Sequence, residues 1–168
     1  MPVPSAGKKG LGESQLHKAT LLLLQVDVCV KEVFEQGKLF PWPRPPDCPR
    51  CHGRIWGHGF VEAYFDGLAG TLFLRRYRCP DCKLTLRLRP LSHWPRFQAS
   101  ILIIFQCLSH RLRFGGWPGG LSRQRQGHWL RSLIRQVRWH MGMGWAGDLL
   151  KAMKTLWQRG VVPVSRSV

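Results

Sequence analysis

The residues best suited to do chemistry here are cysteines. Four of the six form two pairs, Cys48-Pro49-Arg50-Cys51 and Cys79-Pro80-Asp81-Cys82. A C-x-x-C pair puts two soft sulfurs in one tight turn along one edge of a tetrahedron, and two pairs complete the closed sphere of a structural Zn²⁺. The 27 residues between the pairs exceed the usual spacer, which a hairpin running out and back explains. The expectation is one structural Zn²⁺ held by Cys48, Cys51, Cys79 and Cys82. Two disulfides are disfavoured in a reducing compartment, and a redox C-x-x-C would need one pair in a βαβ context. His52 and His58 are expected as surface or supporting groups, and Cys29 and Cys107 as buried thiols on apolar helix faces. A four-sulfur sphere leaves no open position for catalysis. The H-x-E partner of zinc deaminases does not occur, and the absence of Asn removes His–Asn–His nucleases.

Carboxylates are scarce. Twenty-six Lys and Arg against nine Asp and Glu give a net charge of +17 in 168 residues, which points to a polyanionic partner, nucleic acid foremost. Residues 1–40 carry a net +1, residues 41–90 a net +5, and residues 91–168 carry twelve basic residues against Asp148 alone. Two-metal nucleases and polynucleotidyl transferases need several converging carboxylates, so the chain is expected not to be an enzyme. Phosphate contacts are expected from Arg75, Arg76, Arg78, Arg87, Arg89, Arg111 and Arg113. Base readout is expected from Ser122, Arg123, Gln124, Arg125 and Gln126, since Arg pairs with G and Gln with A in the major groove. Arg131, Arg135 and Arg138 share one helix face at i, i+4 and i+7.

The elements that position these groups follow from periodicity. Leu16, Ala19, Leu23, Val26, Val30 and Val33 recur at steps of three and four, predicting one amphipathic helix over 14–36, stopped at Gly37, whose stripe packs at home or self-associates. Four prolines in 41–46 predict a stiff linker. Residues 54–65 and 71–78 flank the turn 66–70 as a hairpin, and 83–89 alternates as a half-buried strand with a cationic outer face. Helices are predicted over 97–111, over 121–140 with Leu130, Leu133, Ile134, Val137 and Met141 inward, and over 148–159 with Asp148 as N-cap and Leu149, Leu150, Met153, Leu156 and Trp157 inward. The last eight residues read as a loose tail. Lys8 and Lys9 precede an apolar stretch, but Glu13, His17, Lys18, Gln25 and Asp27 interrupt it, so no secretory signal is read. The apolar runs 21–24 and 101–105 are too short to span a bilayer, and a soluble, cytoplasmic protein is expected.

The C-P-x-C knuckle, the strand ending His58-Gly59 and the run Arg75-Arg76-Tyr77-Arg78-Cys79-Pro80-Asp81-Cys82 resemble the N-terminal zinc ribbon of bacterial insertion-sequence transposases. Ser122 to Arg131 resembles that family's recognition helix, with Gly115 to Gly120 in place of its middle helix. The resemblance covers roughly 47–140 and implies duplex DNA as partner, Arg131 among the contacts and a nucleoid-associated place in a bacterium. The family's Asp-Asp-Glu catalytic domain has no counterpart in this sequence, which implies a truncated, split or accessory DNA-binding component of a mobile element. The fold class expected is α+β: a four-Cys zinc ribbon of three short antiparallel strands (48–92), preceded by a helix (1–40) and a proline-rich linker (41–47). A helix-turn-helix-like region (93–141) and a short helix with tail (142–168) follow. Two other readings compete. One is an RNA-binding ribbon stacking bases on Trp56, Tyr64, Phe73, Tyr77 or Trp94. The other is an adaptor in a nucleoprotein complex that docks a partner through the 14–36 helix. No small-molecule substrate is expected.

Overall fold

A computed structural model describes residues 20–165. The protein is α+β, and its chain divides after Leu91 into two compact units, Met1–Leu91 and Ser92–Val168. The first unit is built on a four-stranded sheet: β1 (Leu21–Val26), β2 (Trp56–Tyr64), β3 (Thr71–Arg78) and β4 (Thr85–Pro90), in the order β1-β4-β3-β2. β2 and β3 form the expected antiparallel hairpin, Tyr64 opposite Thr71, and β4 pairs antiparallel with β3.

The sheet has a strand more than a three-stranded ribbon. β1 runs parallel to β4, from Leu21 opposite Thr85 to Val26 opposite Pro90, and corrects the long N-terminal helix. Of that predicted 14–36 helix, residues 14–19 lie outside the described residues, and only α1 (Val30–Gln36) is helical. A run of four leucines suits a strand as well as a buried helix, and the free edge of β4 decides between them by giving the backbone of 21–26 a ladder. Thr85 N–H donates to Thr20 O at 2.9 Å and Leu91 N–H to Val26 O at 2.8 Å, bracketing the pairing. The stripe proposed for self-association or adaptor docking is thus broken up. Cys29, expected buried, is an exposed residue at the N-cap of α1. Gly37 ends α1 as expected, with φ +57°.

The proline segment is packed rather than free. Trp42 is buried and meets Phe40 edge to face at 5.3 Å, while Arg44 donates to Ile55 O at 2.8 Å. With Val33, Cys48, Ile55, Phe65, Leu72, Leu74, Tyr77, Leu84, Leu86 and Leu88, Trp42 forms the core of this unit.

The second unit holds three helices, α2 (Ile101–Phe114), α3 (Arg123–Met141) and α4 (Leu149–Gln158). Each starts with a side-chain cap, of which only Asp148 is expected from sequence: Ser100 accepts from Ile103 N–H, so that α2 begins at 101 rather than 97, Ser122 from Arg125 N–H, and Asp148 from Leu150 and Lys151 N–H. Gly115, left-handed at φ +72°, closes α2. Ile104, Leu108, Trp129, Leu133, Val137, Met153 and Leu156 fill the core. Trp157, expected inward, is half exposed and meets Trp94 edge to face.

Two expectations fail here. Residues 115–122, joining α2 to α3, are twice the three or four of a helix-turn-helix turn, so that motif is not what the unit forms. The end of the chain, as far as residue 165, is no loose tail: Val164 is fully buried, and Ser165 O accepts from the buried Gln136 amide at 3.2 Å. Val161, Val162 and Val164 are apolar enough to seal the core beside α3, and the Gln136 amide needs a partner once buried.

Candidate metal centre

The sulfurs of Cys48, Cys51, Cys79 and Cys82 come together as the spacing predicts, all within 4.8 Å of one another, and could hold a metal ion. Cys48 and Cys82 Sγ are 3.5 Å apart, Cys51 and Cys79 Sγ 3.4 Å. Four thiolates about 2.3 Å from a tetrahedral ion stand about 3.8 Å apart, so the cluster matches such an ion with little rearrangement. Cys48 and Cys79 are buried at the base of the cluster, and Cys51 faces solvent. His52 and His58 are exposed and stand outside it, and His52 instead lies 3.7 Å from the Asp47 carboxylate.

The two knuckles share one backbone design. In the first, Cys48 N–H donates to Gly53 O at 2.9 Å; in the second, Cys79 N–H donates to Leu84 O at 2.9 Å. Each hydrogen bond closes a six-residue loop, and the residue after the second cysteine turns left-handed: His52 at φ +57° and Lys83 at φ +62°. Left-handed His and Lys are strained, and such strain persists where the surroundings fix it. At Gly53 the Asp81 carboxylate occupies the space a Cβ would take, so a side chain there would require Asp81 to swing aside.

Backbone amides point at the sulfurs, which favours thiolate. The Cys79 thiol is lowered to about 7, chiefly by the Cys82 amide, against burial and with help from Cys51 and Asp81. Burial pushes Cys48 up against amide donation from Arg50 and Cys51. The Gly53 amide favours the Cys51 thiolate, but the hydrogen-bonded Cys79 sulfur, burial and the Cys82 and Cys48 sulfurs outweigh it and push Cys51 up to about 12. Crowded sulfurs resist carrying charge together unless a cation neutralises them. Chemically the arrangement is a cluster of four soft donors that could hold a metal ion.

The residues expected on nucleic acid are scattered over both units. On β3 and β4, Arg75 lies over the Phe60 and Tyr77 rings at 4.8 and 5.6 Å, Arg89 lies over Phe65 at 4.8 Å, Arg76 and Arg87 are half-buried, and Arg78 is exposed. The outer face of β4 is therefore cationic but not freely solvated. In the helical unit Arg111 lies over Trp117 at 5.2 Å and Arg125 over Trp129 at 5.3 Å, while Arg113, Arg123, Gln124 and Arg131 are exposed. Two of the five readout residues are otherwise engaged. Gln126 is fully buried, its amide donating to Pro118 O at 3.1 Å and Leu121 O at 2.9 Å, so it fixes the loop before α3; Ser122 is spent as the N-cap. Arg131, Arg135 and Arg138, with Ile134, Trp139, Gly142 and Met143, line an open groove of about 800 Å³. Of the aromatics considered for stacking, Tyr77 and Trp94 are core and Phe73 lies under Lys38, while Trp56 and Tyr64 are exposed on β2.

Among the described residues no helix is long and apolar enough to cross a membrane. Compared with protein-family models, curated proteins and solved structures, the chain matches none.

Proposed function

We propose that this chain is a zinc-structured protein that binds duplex DNA, with the exposed arginine face of α3 against the phosphates. One observation carries the reading: α3 exposes Arg123, Arg131, Arg135 and Arg138, contains no acid, and belongs to a unit whose only carboxylate side chain is Asp148. A surface so charged repels itself, and releasing counterions from a polyanion repays that repulsion. Arg131 to Arg138 covers about 10 Å of helix, a length commensurate with successive phosphates on one strand. Zn²⁺ suits the four-sulfur cluster because thiolates in tetrahedral array select it and a closed sphere needs no redox partner. Its role is to hold the sheet together.

The resemblance of the knuckles to those of insertion-sequence transposases supports terminal inverted repeats as the duplex, with the chain acting as a DNA-binding component in a bacterial nucleoid. With Ser122 and Gln126 turned to structural tasks, base readout falls to Arg123 and Gln124, and phosphate contacts supply most of the affinity. The reading includes no strand cutting. The Asp148 carboxylate is taken up by two amides of α4, and the remaining described acids lie in the other unit, none of them on a shared metal cluster.

The test is selection of bound sequences from a random duplex pool with zinc-loaded protein, followed by competition with single strands and structured RNA at matched salt. The reading expects duplex to compete best. On any enriched site Arg123→Ala is expected to cost about 1–3 kcal/mol. Structured RNA displacing duplex stoichiometrically would overturn it.

A further inference from the structure

The register of the sheet places like charges directly opposite one another. Leu21, Thr85, Arg78 and Trp56 form one row across the four strands, and Leu23, Arg87 and Arg76 lie in the row two residues along, which puts these side chains on one face. β1, β3 and β4 contain no acid, so no carboxylate within those strands separates Arg76 from Arg87. Like charges directly opposite destabilise a sheet unless something neutralises them. The Nε atoms of both side chains are buried and have no hydrogen-bond partner among the described residues. Enclosing an unpaired guanidinium donor is costly, and since both side chains are only half-buried, it is their remaining donors, on facing strands, that could meet a phosphate oxygen. The Arg76 guanidinium reaches the bulge in β2, where it lies in ordinary contact range of Gly59, left-handed at φ +71°. Arg89, two residues from Arg87, has its pKa lowered by burial and by the Arg87 charge, as expected where positive charge is concentrated.

At the next row the face changes character. Trp56 is 56% exposed at the sheet edge, beside exposed Arg78, with the Arg54 guanidinium 5.9 Å from its ring. An exposed indole next to a cationic fork is the pairing that holds unpaired bases: phosphate on the arginines, base on the ring. A duplex keeps its bases stacked away from such a ring.

We infer that this sheet face is a separate site for a single nucleic-acid strand, one phosphate held between Arg76 and Arg87 and a neighbouring base stacked on Trp56. The inference rests on the nucleic-acid reading above, but not on α3.

The test uses the zinc-loaded full chain and the variants Arg87→Gln, Arg76→Gln/Arg87→Gln, Arg87→Lys and Trp56→Ala, each first checked for metal content. Thermal melting in phosphate-free, low-salt buffer is expected to show Arg87→Gln more stable than the parent by a few degrees, because it removes like-charge repulsion. Inorganic pyrophosphate is expected to raise the melting temperature of the parent and of Arg87→Lys but not of the double Gln variant. For oligo(dT) the double variant is expected to bind about tenfold more weakly and to lose about 0.7, one phosphate's share, from the slope of log K against log[salt], and Trp56→Ala to weaken binding without changing the slope. In the double variant duplex affinity is expected to fall by less than oligo(dT) affinity. A purely structural arginine predicts the opposite for Arg87→Gln, a lower melting temperature, and that result overturns the site. So does an equal loss of duplex and single-strand binding in the double variant, or an undiminished pyrophosphate shift. Failure of oligo(dT) to bind the parent also overturns the site, whereas failure of duplex alone removes the duplex reading and leaves the site standing.

Discussion

At the scale of single residues the candidate metal site is four clustered sulfurs that differ in how readily they ionise. Cys79 is fully buried and has its thiol lowered to about 7, so a side chain that cannot match a thiolate's affinity for soft metals is least tolerable there. Cys79→Ser is expected to abolish stoichiometric Zn²⁺ binding and to lose the amide protection of the sheet unit, read by metal analysis and hydrogen exchange. A variant that keeps both would show that three sulfurs suffice. Lys83 turns left-handed without being glycine. Lys83→Gly is therefore expected to stabilise the metal-bound protein by at most about 1 kcal/mol, the relief of left-handed strain less the entropy glycine adds to the unfolded chain. A loss of stability on equilibrium unfolding would mean the lysine makes a compensating contact. Cys48, Cys51, Cys79 and Cys82 are legible in the sequence because their spacing encodes the chemistry. The positive φ at His52 and Lys83 is not, since Lys gives no signal of it and the enrichment of His there is too weak to single out one position. Gln126 misleads for a related reason: at the start of a basic helix a polar amide reads as outward, and only the fold shows two carbonyls, Pro118 and Leu121, waiting for it.

Among the elements, a helix end marked by a capping residue or a glycine is easier to read from sequence than a strand that depends on a distant partner. Asp148 announces α4, and its carboxyl is held below the ordinary 3.8 by the Lys151 amide first and the Leu150 amide second. A carboxyl depressed in the folded state adds stability above its unfolded pKa and loses it as pH falls through the folded value. The helical unit is thus expected to weaken as acid takes the solution below pH 3.8, and Asp148→Asn to flatten that part of the stability–pH curve. An unchanged curve would mean the cap is dispensable. The strand β1 has no such marker: the Leu21 to Leu24 run fits either period, and its pairing with β4 is a long-range fact that local sequence does not carry. Val164 lies beyond the last helix and still has no exposure. Val164→Ala is expected to cost about 2 kcal/mol in thermal or denaturant unfolding, where a loose tail would give no change.

For the whole molecule the governing quantity is the +17 charge, most concentrated after residue 91. Charge of that size sets an expectation about the partner and says nothing about how the chain folds, which is why the helix packing could not be read from it. The central claim is that the chain meets duplex DNA mainly through phosphates, with Arg131, Arg135 and Arg138 on α3 among the principal contacts. The most direct measurement is the salt dependence of duplex affinity for the zinc-loaded parent and for Arg131→Ala/Arg135→Ala/Arg138→Ala. If about six phosphates are neutralised, the slope of log K against log[salt] is expected to be on the order of −5 for the parent and to shrink by about 3 in the triple variant. A parent slope near zero, or a slope the triple variant leaves unchanged, would contradict the account.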